Sequence, residues 1–422
     1  MNLADMLSYA DIAQLSGIAQ VYQCECSSHS KNELIQSILS KVQRREVLER
    51  RVEEMSLADL RFLNSLLFEK RASYSLEDLT ARASGTADRS QAEAGQQAGG
   101  AGAVSAATAA GATDSGAKKR AASSQRKKAK PTQTPQTPVD EGRSAIARFK
   151  RYGWLFGGAT QQTRYLYHVP EDVKKKLCDT IESKFRESVQ LREEPPAYRD
   201  ERGLLAADLA LLLRFVRSQD TPLTSEGYLY KRQLQQLLNG FAVLEQPPAK
   251  TAFRFGYGRR FREYPERFSL LYDYAYYAGM LLEEEGSLAL TDKGRDIAEG
   301  AAECDPAELY RFWLRLYKLP IPNLHALTQW IMRLSRHQWV TVESLCAILL
   351  PLVKPYYYDA ERTILERRTL AMMLHLGLLR LGETAAGEAV VTMTPQGVLL
   401  VSGSDVRFED ALPWQYGLVD IR

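Results

Sequence analysis

The residues of this chain best suited to chemistry are cations in clusters. Lys118, Lys119 and Arg120 are followed by Arg126, Lys127, Lys128 and Lys130, and a second group, Arg143, Arg148, Lys150 and Arg151, begins shortly after. Lysine and arginine at this density neutralise phosphates without reading base sequence. The first group lies in a stretch of Ala, Gly, Ser, Gln, Thr and Pro and is expected to be a flexible basic arm. The second falls on a helical pattern whose apolar residues are Ile146 and Phe149, and its cations point broadly to the opposite side. A third group, Arg254-Phe255-Gly256-Tyr257-Gly258-Arg259-Arg260-Phe261-Arg262, interleaves cations with rings that would either stack on bases or cover a core, and Arg259 and Arg260 are its candidate phosphate contacts. DNA is therefore the expected partner. The competing expectation is a solvated helix face beside a solubilising tail.

Catalytic chemistry finds little support. There is no GxxxxGK[ST] loop: Gly157-Gly158-Ala159-Thr160 lacks the lysine, and no strand clearly precedes Gly256-Tyr257-Gly258. The histidines at 29, 168, 325, 337 and 375 are scattered, with no HExxH, no paired carboxylates and no serine beside a plausible base. Cys24 and Cys26 with His29 lack a fourth ligand, so neither metal nor cofactor is expected, and the five cysteines read as reduced thiols. Fifty-five basic residues against fifty-two acidic ones leave only +3, so total charge points to no partner and its distribution matters instead. No apolar run approaches the roughly 20 residues of a membrane span. Residues 1–20 carry Asp5 and Asp11 and no basic start, so a cytoplasmic, nucleoid-compatible protein is expected.

The elements that must position these cations recur. Three times an apolar helix meets a glycine, an apolar pair, a polar tip and a second short apolar segment. These are Tyr152-Gly153-Trp154-Leu155 with Tyr165–Val169, Ala278-Gly279-Met280-Leu281 with Leu288–Leu290, and Leu376-Gly377-Leu378-Leu379 with Val390–Met393. Glycine there suits a left-handed helix cap and the paired runs suit a hairpin. The expected fold is mainly α with small β-wings: tandem winged-helix units behind a helix-extended-helix module at 1–43. Unit 1 spans 44–190, with helices at 56–70, 75–83 and 141–152 around an insert at about 84–138. A polar connector at 193–202 leads to unit 2 at 200–318 and unit 3 at 319–422. In unit 3 helices are expected at 323–336, 341–353 and 359–376. Ser30, Ser56 and Ser75, each with an acid three residues on, mark helix starts.

Two resemblances add to this. Residues 3–42, where a second helix opens with Ser30-Lys31-Asn32-Glu33-Leu34, look like the SAP-type or Rho-N-terminal-type modules, which often bind nucleic acid. Residues 200–320 carry the run Pro222-Leu223-Thr224-Ser225-Glu226-Gly227-Tyr228-Leu229-Tyr230-Lys231-Arg232, then Ala278–Leu281, Leu288–Gly294 and Phe312-Trp313-Leu314. This region resembles the helicase-associated N-terminal domain of bacterial XPB-type DNA helicases. The resemblance implies a DNA-processing setting with a helicase or similar enzyme as a partner, but no active-site residues, because that domain sits beside the motor. The expected function is that of a non-enzymatic accessory or adaptor in DNA transactions, and the alternative is a scaffold whose winged helices bind only protein.

Overall fold

The computed structural model describes residues 1–24, 30–42, 44–86, 138–158, 160–248, 254–284 and 286–404. Among these the chain is mainly helical, with small antiparallel sheets. The basic run Lys118–Lys130, Cys26, His29 and the tail beyond 404 lie outside the described residues, as does much of the link expected to be extended at 23–28.

Four helices lead: α1 (Leu3–Tyr9), α2 (Ile12–Val21), α3 (Lys31–Val42) and α4 (Arg45–Glu53). The last was not legible, because its only apolar residues, Val47, Leu48 and Val52, are set among charges. Leu48 and Val52 are buried nonetheless. The backbone N–H of Leu3 donates to Asp172 at 2.8 Å, tying this module to a helix far along the chain.

Unit 1 follows as α5 (Leu57–Leu67), β1 (Tyr74–Ser75), α6 (Leu76–Thr86), α7 (Pro138–Arg151), β2 (Phe156–Gly157) and β3 (Leu166–His168). The serine starts hold: Ser56 Oγ accepts from the Asp59 amide and Ser75 Oγ from the Asp78 amide, each at 3.1 Å. α6 and α7 lie side by side. A Cβ on Gly142 would come within 2.8 Å of Ser84 Oγ, which accounts for a glycine inside a helix. β3 pairs with both β1 and β2 in the middle of the sheet.

The polar connector expected at 193–202 carries β5 (Ala197–Asp200), and β4 (Leu191–Arg192) lies just before it, after α8 (Glu171–Ser188). Unit 2 then comprises α9 (Leu204–Ser218), a β-bridge at Pro222, α10 (Lys231–Gly240), α11 (Glu266–Tyr277), the hairpin β6 (Leu281–Glu284) and β7 (Ser287–Leu290), and α12 (Asp292–Glu299). Pro222 pairs with Ser287 of β7, so the strand order of unit 1 recurs here in minimal form. α13 (Pro306–Leu316) leads on to unit 3: α14 (Leu324–Ser335), β8 (Trp339–Thr341), α15 (Val342–Leu349), α16 over 361–375, β9 (Leu379–Glu383), β10 (Ala389–Met393) and α17 (Pro395–Gly403).

Its sheet runs β4-β8-β10-β9-β5, so the connector strands cap both edges of the β8-β10-β9 core and leave neither edge of that core unpaired. All three units thus follow helix, strand, helix, helix, strand, strand. The three glycines that end their third helices adopt nearly one conformation: φ is +67 at Gly153, +68 at Gly279 and +69 at Gly377. One continuous apolar core runs from Leu3 to Val401.

Candidate nucleic-acid interface

Of the cations on α7, Arg143 and Arg151 are exposed, while Arg148 and Lys150 are partly covered. Ala145, Ile146 and Phe149 supply the buried side, and Phe149 stacks on Phe62 of α5 with ring centroids 4.9 Å apart. This matches the expected division of the helix into two faces. Arg148, however, is turned inward. Its Nη2 donates to Asp59 Oδ1 at 2.6 Å and its Nε to Oδ2 at 3.1 Å, and the Asp59 side chain is only 8% exposed. The Lys150 ammonium lies 5.6 Å from the centroid of the Tyr167 ring on β3. Beyond this ring, at the tip of the same hairpin, Arg164 stacks on the exposed Tyr165 at 4.5 Å. The Gln- and Thr-rich gap around Arg164 carries no periodic signal, so it escaped the sequence reading.

Arg259 and Arg260 serve a different purpose. Nη2 of each donates to Glu283 Oε2, at 2.7 and 2.8 Å, and Tyr272 Oη donates to Glu283 Oε1 at 2.8 Å. Burial works to raise the Glu283 carboxyl, but these hydrogen bonds outweigh it and hold the group below the usual carboxylate range. Arg259 also lies 4.1 Å from the Tyr276 ring centroid, and Arg260 sits 5.0 Å from the Tyr228 ring and donates to the Glu226 carbonyl at 2.8 Å. The pair therefore locks the 254–262 loop onto the β6–β7 hairpin, and phosphate contact by either would compete with Glu283. Glu283 is spent on the same clamp, and Glu285 lies outside the described residues.

Gly256 and Gly258 make close approaches to neighbouring side chains, Gly256 to Phe261 and Gly258 to Asp273. Gly258 has φ +108, and a Cβ there would meet Asp273 Oδ2 at 2.4 Å. Burial pushes the Asp273 carboxyl up to about 7, while the Arg259 N–H, donating to it at 2.7 Å, pulls the other way.

Two concavities stand apart from these surfaces. One of about 640 Å³ lies between α16 and the five-stranded sheet, but its charges are engaged with carboxylates or cations. Arg362 is held by Glu343 and Glu366, His375 by Glu201 at 2.8 Å, and Glu388 by Arg192 at 2.8 Å. The other, about 220 Å³, is mostly apolar and lies between α5, α6 and α14. Among the described residues, no three His, Cys, Asp or Glu side chains converge as a metal site requires, and no helix is long and apolar enough to cross a membrane.

Comparison with known proteins finds no matching family, no match among curated proteins and none among solved structures.

Proposed function

We propose that this chain is a non-enzymatic, DNA-associated protein, an accessory or adaptor in DNA transactions, built from three winged-helix units of the helicase-associated kind without a motor. The observation that supports this most is α7. It is the third helix of a unit with strand order β1-β3-β2, and it presents Arg143 and Arg151 to solvent on the same unit as the hairpin tip at Arg164. In helix-turn-helix proteins the last helix of such a set lies in the major groove, where its cations meet phosphates or base edges. The run Lys118–Lys130 precedes α7 in sequence and would add contacts of the non-specific kind. The helicase-associated resemblance suggests a DNA-processing enzyme as protein partner. A second reading, a scaffold that binds only protein, draws its support from unit 2, whose Arg259 and Arg260 are held by Glu283.

The test is duplex binding by the purified full chain across a salt series. Each neutralised phosphate contributes a slope of about 0.9 in log affinity against log salt. Arg143→Gln with Arg151→Gln should flatten the slope by up to about 2 on that scale. No duplex binding at roughly 50 mM salt, where such contacts are strong, removes the α7 reading and favours the scaffold.

A further inference from the structure

Tyr356 to Asp359 form a tight turn. The amide of Tyr356 donates to the Asp359 carbonyl at 2.9 Å and the amide of Asp359 returns to the Tyr356 carbonyl at 3.0 Å. Its two tip residues are tyrosines, 63% and 71% exposed. Tyr357 has φ +50, a left-handed conformation that glycine or asparagine takes readily and a tyrosine adopts only under strain. Strain of this kind persists where the surroundings enforce it, and it clusters at binding sites.

The enforcing contact is Arg368, which is almost wholly buried. Its Nε donates to Asp359 at 2.8 Å, its Nη2 to the Phe255 carbonyl at 2.8 Å, and its Nη1 lies 2.9 Å from Glu266. One guanidinium therefore fixes the turn of unit 3 and the loop of unit 2 against each other. Phe255 is the result of that alignment. Its ring lies 6.0 Å from Tyr357, 5.4 Å from Tyr358, 6.1 Å from Tyr356 and 5.9 Å from Tyr257. Cations lie close by in sequence and through Glu266: Arg254 directly precedes Phe255, and Arg367, 62% exposed, shares Glu266 with Arg368. Burial lowers the Arg254 pKa, Glu266 opposes, and nearby Arg367 adds to the lowering, so an anionic neighbour would be welcome there.

We propose that Tyr357, Tyr358 and Phe255 form a stacking platform for the bases of an unpaired nucleic-acid strand, with Arg254 and Arg367 beside them for its phosphates. Bases offer a π-face to exposed rings whatever their sequence, and cations alternating with rings match the alternation of phosphate and base along a single strand. A proline-rich peptide would use the rings but would bring no phosphate to the half-buried Arg254 or the exposed Arg367. The platform extends the DNA reading but lies on units 2 and 3, away from α7, so the two can fail separately.

The experiment measures full-chain binding to an oligo-dT of about 16 nucleotides, the upper site size of a single-strand-binding fold, and to a duplex of the same length. Tyr357→Gly suits the positive φ, so it removes a ring while relieving strain. With Tyr358→Ala it should weaken single-strand binding on the order of tenfold per ring and leave duplex affinity unchanged. Tyr357→Phe with Tyr358→Phe keeps the rings and should keep the affinity. Single-strand affinity indifferent to the ring-removing pair, or no single-strand binding by the natural chain, overturns the platform, and duplex binding that persists in either case leaves the α7 reading standing. Single-strand binding that needs the rings, without any duplex binding, supports the platform and removes the α7 reading.

Discussion

The indole Nε1 of Trp330, in α14 of unit 3, donates to the side-chain oxygen of Asn64, in α5 of unit 1, at 2.6 Å, and both residues are buried. Phe68 and Phe185 meet the same indole edge-on, with centroids 5.0 and 5.2 Å away. Arg61 adds a second link, donating to the Pro351 carbonyl at 2.8 Å. Units 1 and 3 are therefore coupled through a core that contains a polar bond, and losing one partner would leave the other buried and unpaired. Asn64→Ala should cost about 1–3 kcal/mol and move a single urea transition to lower concentration. Two resolved transitions in the natural chain would mean that the units unfold independently.

Arg148 and its neighbours on α7 should separate by role. Arg148→Ala strips the buried Asp59 of its two hydrogen bonds, but at 41% exposure the guanidinium is partly screened, so a loss of about 1–2 kcal/mol is expected. Arg143→Gln and Arg151→Gln, both at exposed positions, should leave the thermal midpoint within experimental scatter. Equal destabilisation by all three would show that the whole face is structural.

Asp273 gives stability a pH dependence of defined sign. Its carboxyl is raised to about 7 in the folded chain, against about 3.9 when unfolded. The folded state then holds a proton that the unfolded state releases, so this residue's contribution is intact below about pH 4 and is lost as pH rises through 7. Asp273→Asn removes the titration. The variant should match the natural chain near pH 4 and exceed it by up to about 3–4 kcal/mol above pH 7, as read by denaturant midpoints across the range. A constant difference over that range would place the carboxyl's titration elsewhere.

Residues 87–137 lie between two helices that pack together, α6 ending at Thr86 and α7 starting at Pro138. Replacing them with a short Gly/Ser linker should preserve the thermal midpoint or raise stability by up to about 1–2 kcal/mol, because a shorter loop costs less entropy to close. A cooperative loss of stability would mean that the segment contributes to the core.

The local signals in the sequence were sufficient for most helices. Ser56 and Ser75 start α5 and α6 because a cap needs only a side-chain oxygen within three residues of the amide it accepts from. The glycines at 153, 279 and 377 mark equivalent helix ends because the left-handed cap is likewise local. The periodicity at Ile146 and Phe149 correctly assigned the buried side of α7. What sequence could not determine depends on partners far along the chain. β4 and β5 are short and lack a pattern of their own. They become strands because β8 and β9 offer unpaired edges once unit 3 has folded, and this makes the expected connector part of a sheet. The fate of the cations is equally non-local: Arg148, Arg259 and Arg260 read in sequence like Arg143 and Arg151, and only the folded chain brings Asp59 and Glu283 against them. The same holds for Tyr357 and Tyr358. In sequence they are two more aromatics beside a proline, and it is Arg368, reaching both Asp359 and the Phe255 carbonyl, that holds them at a surface.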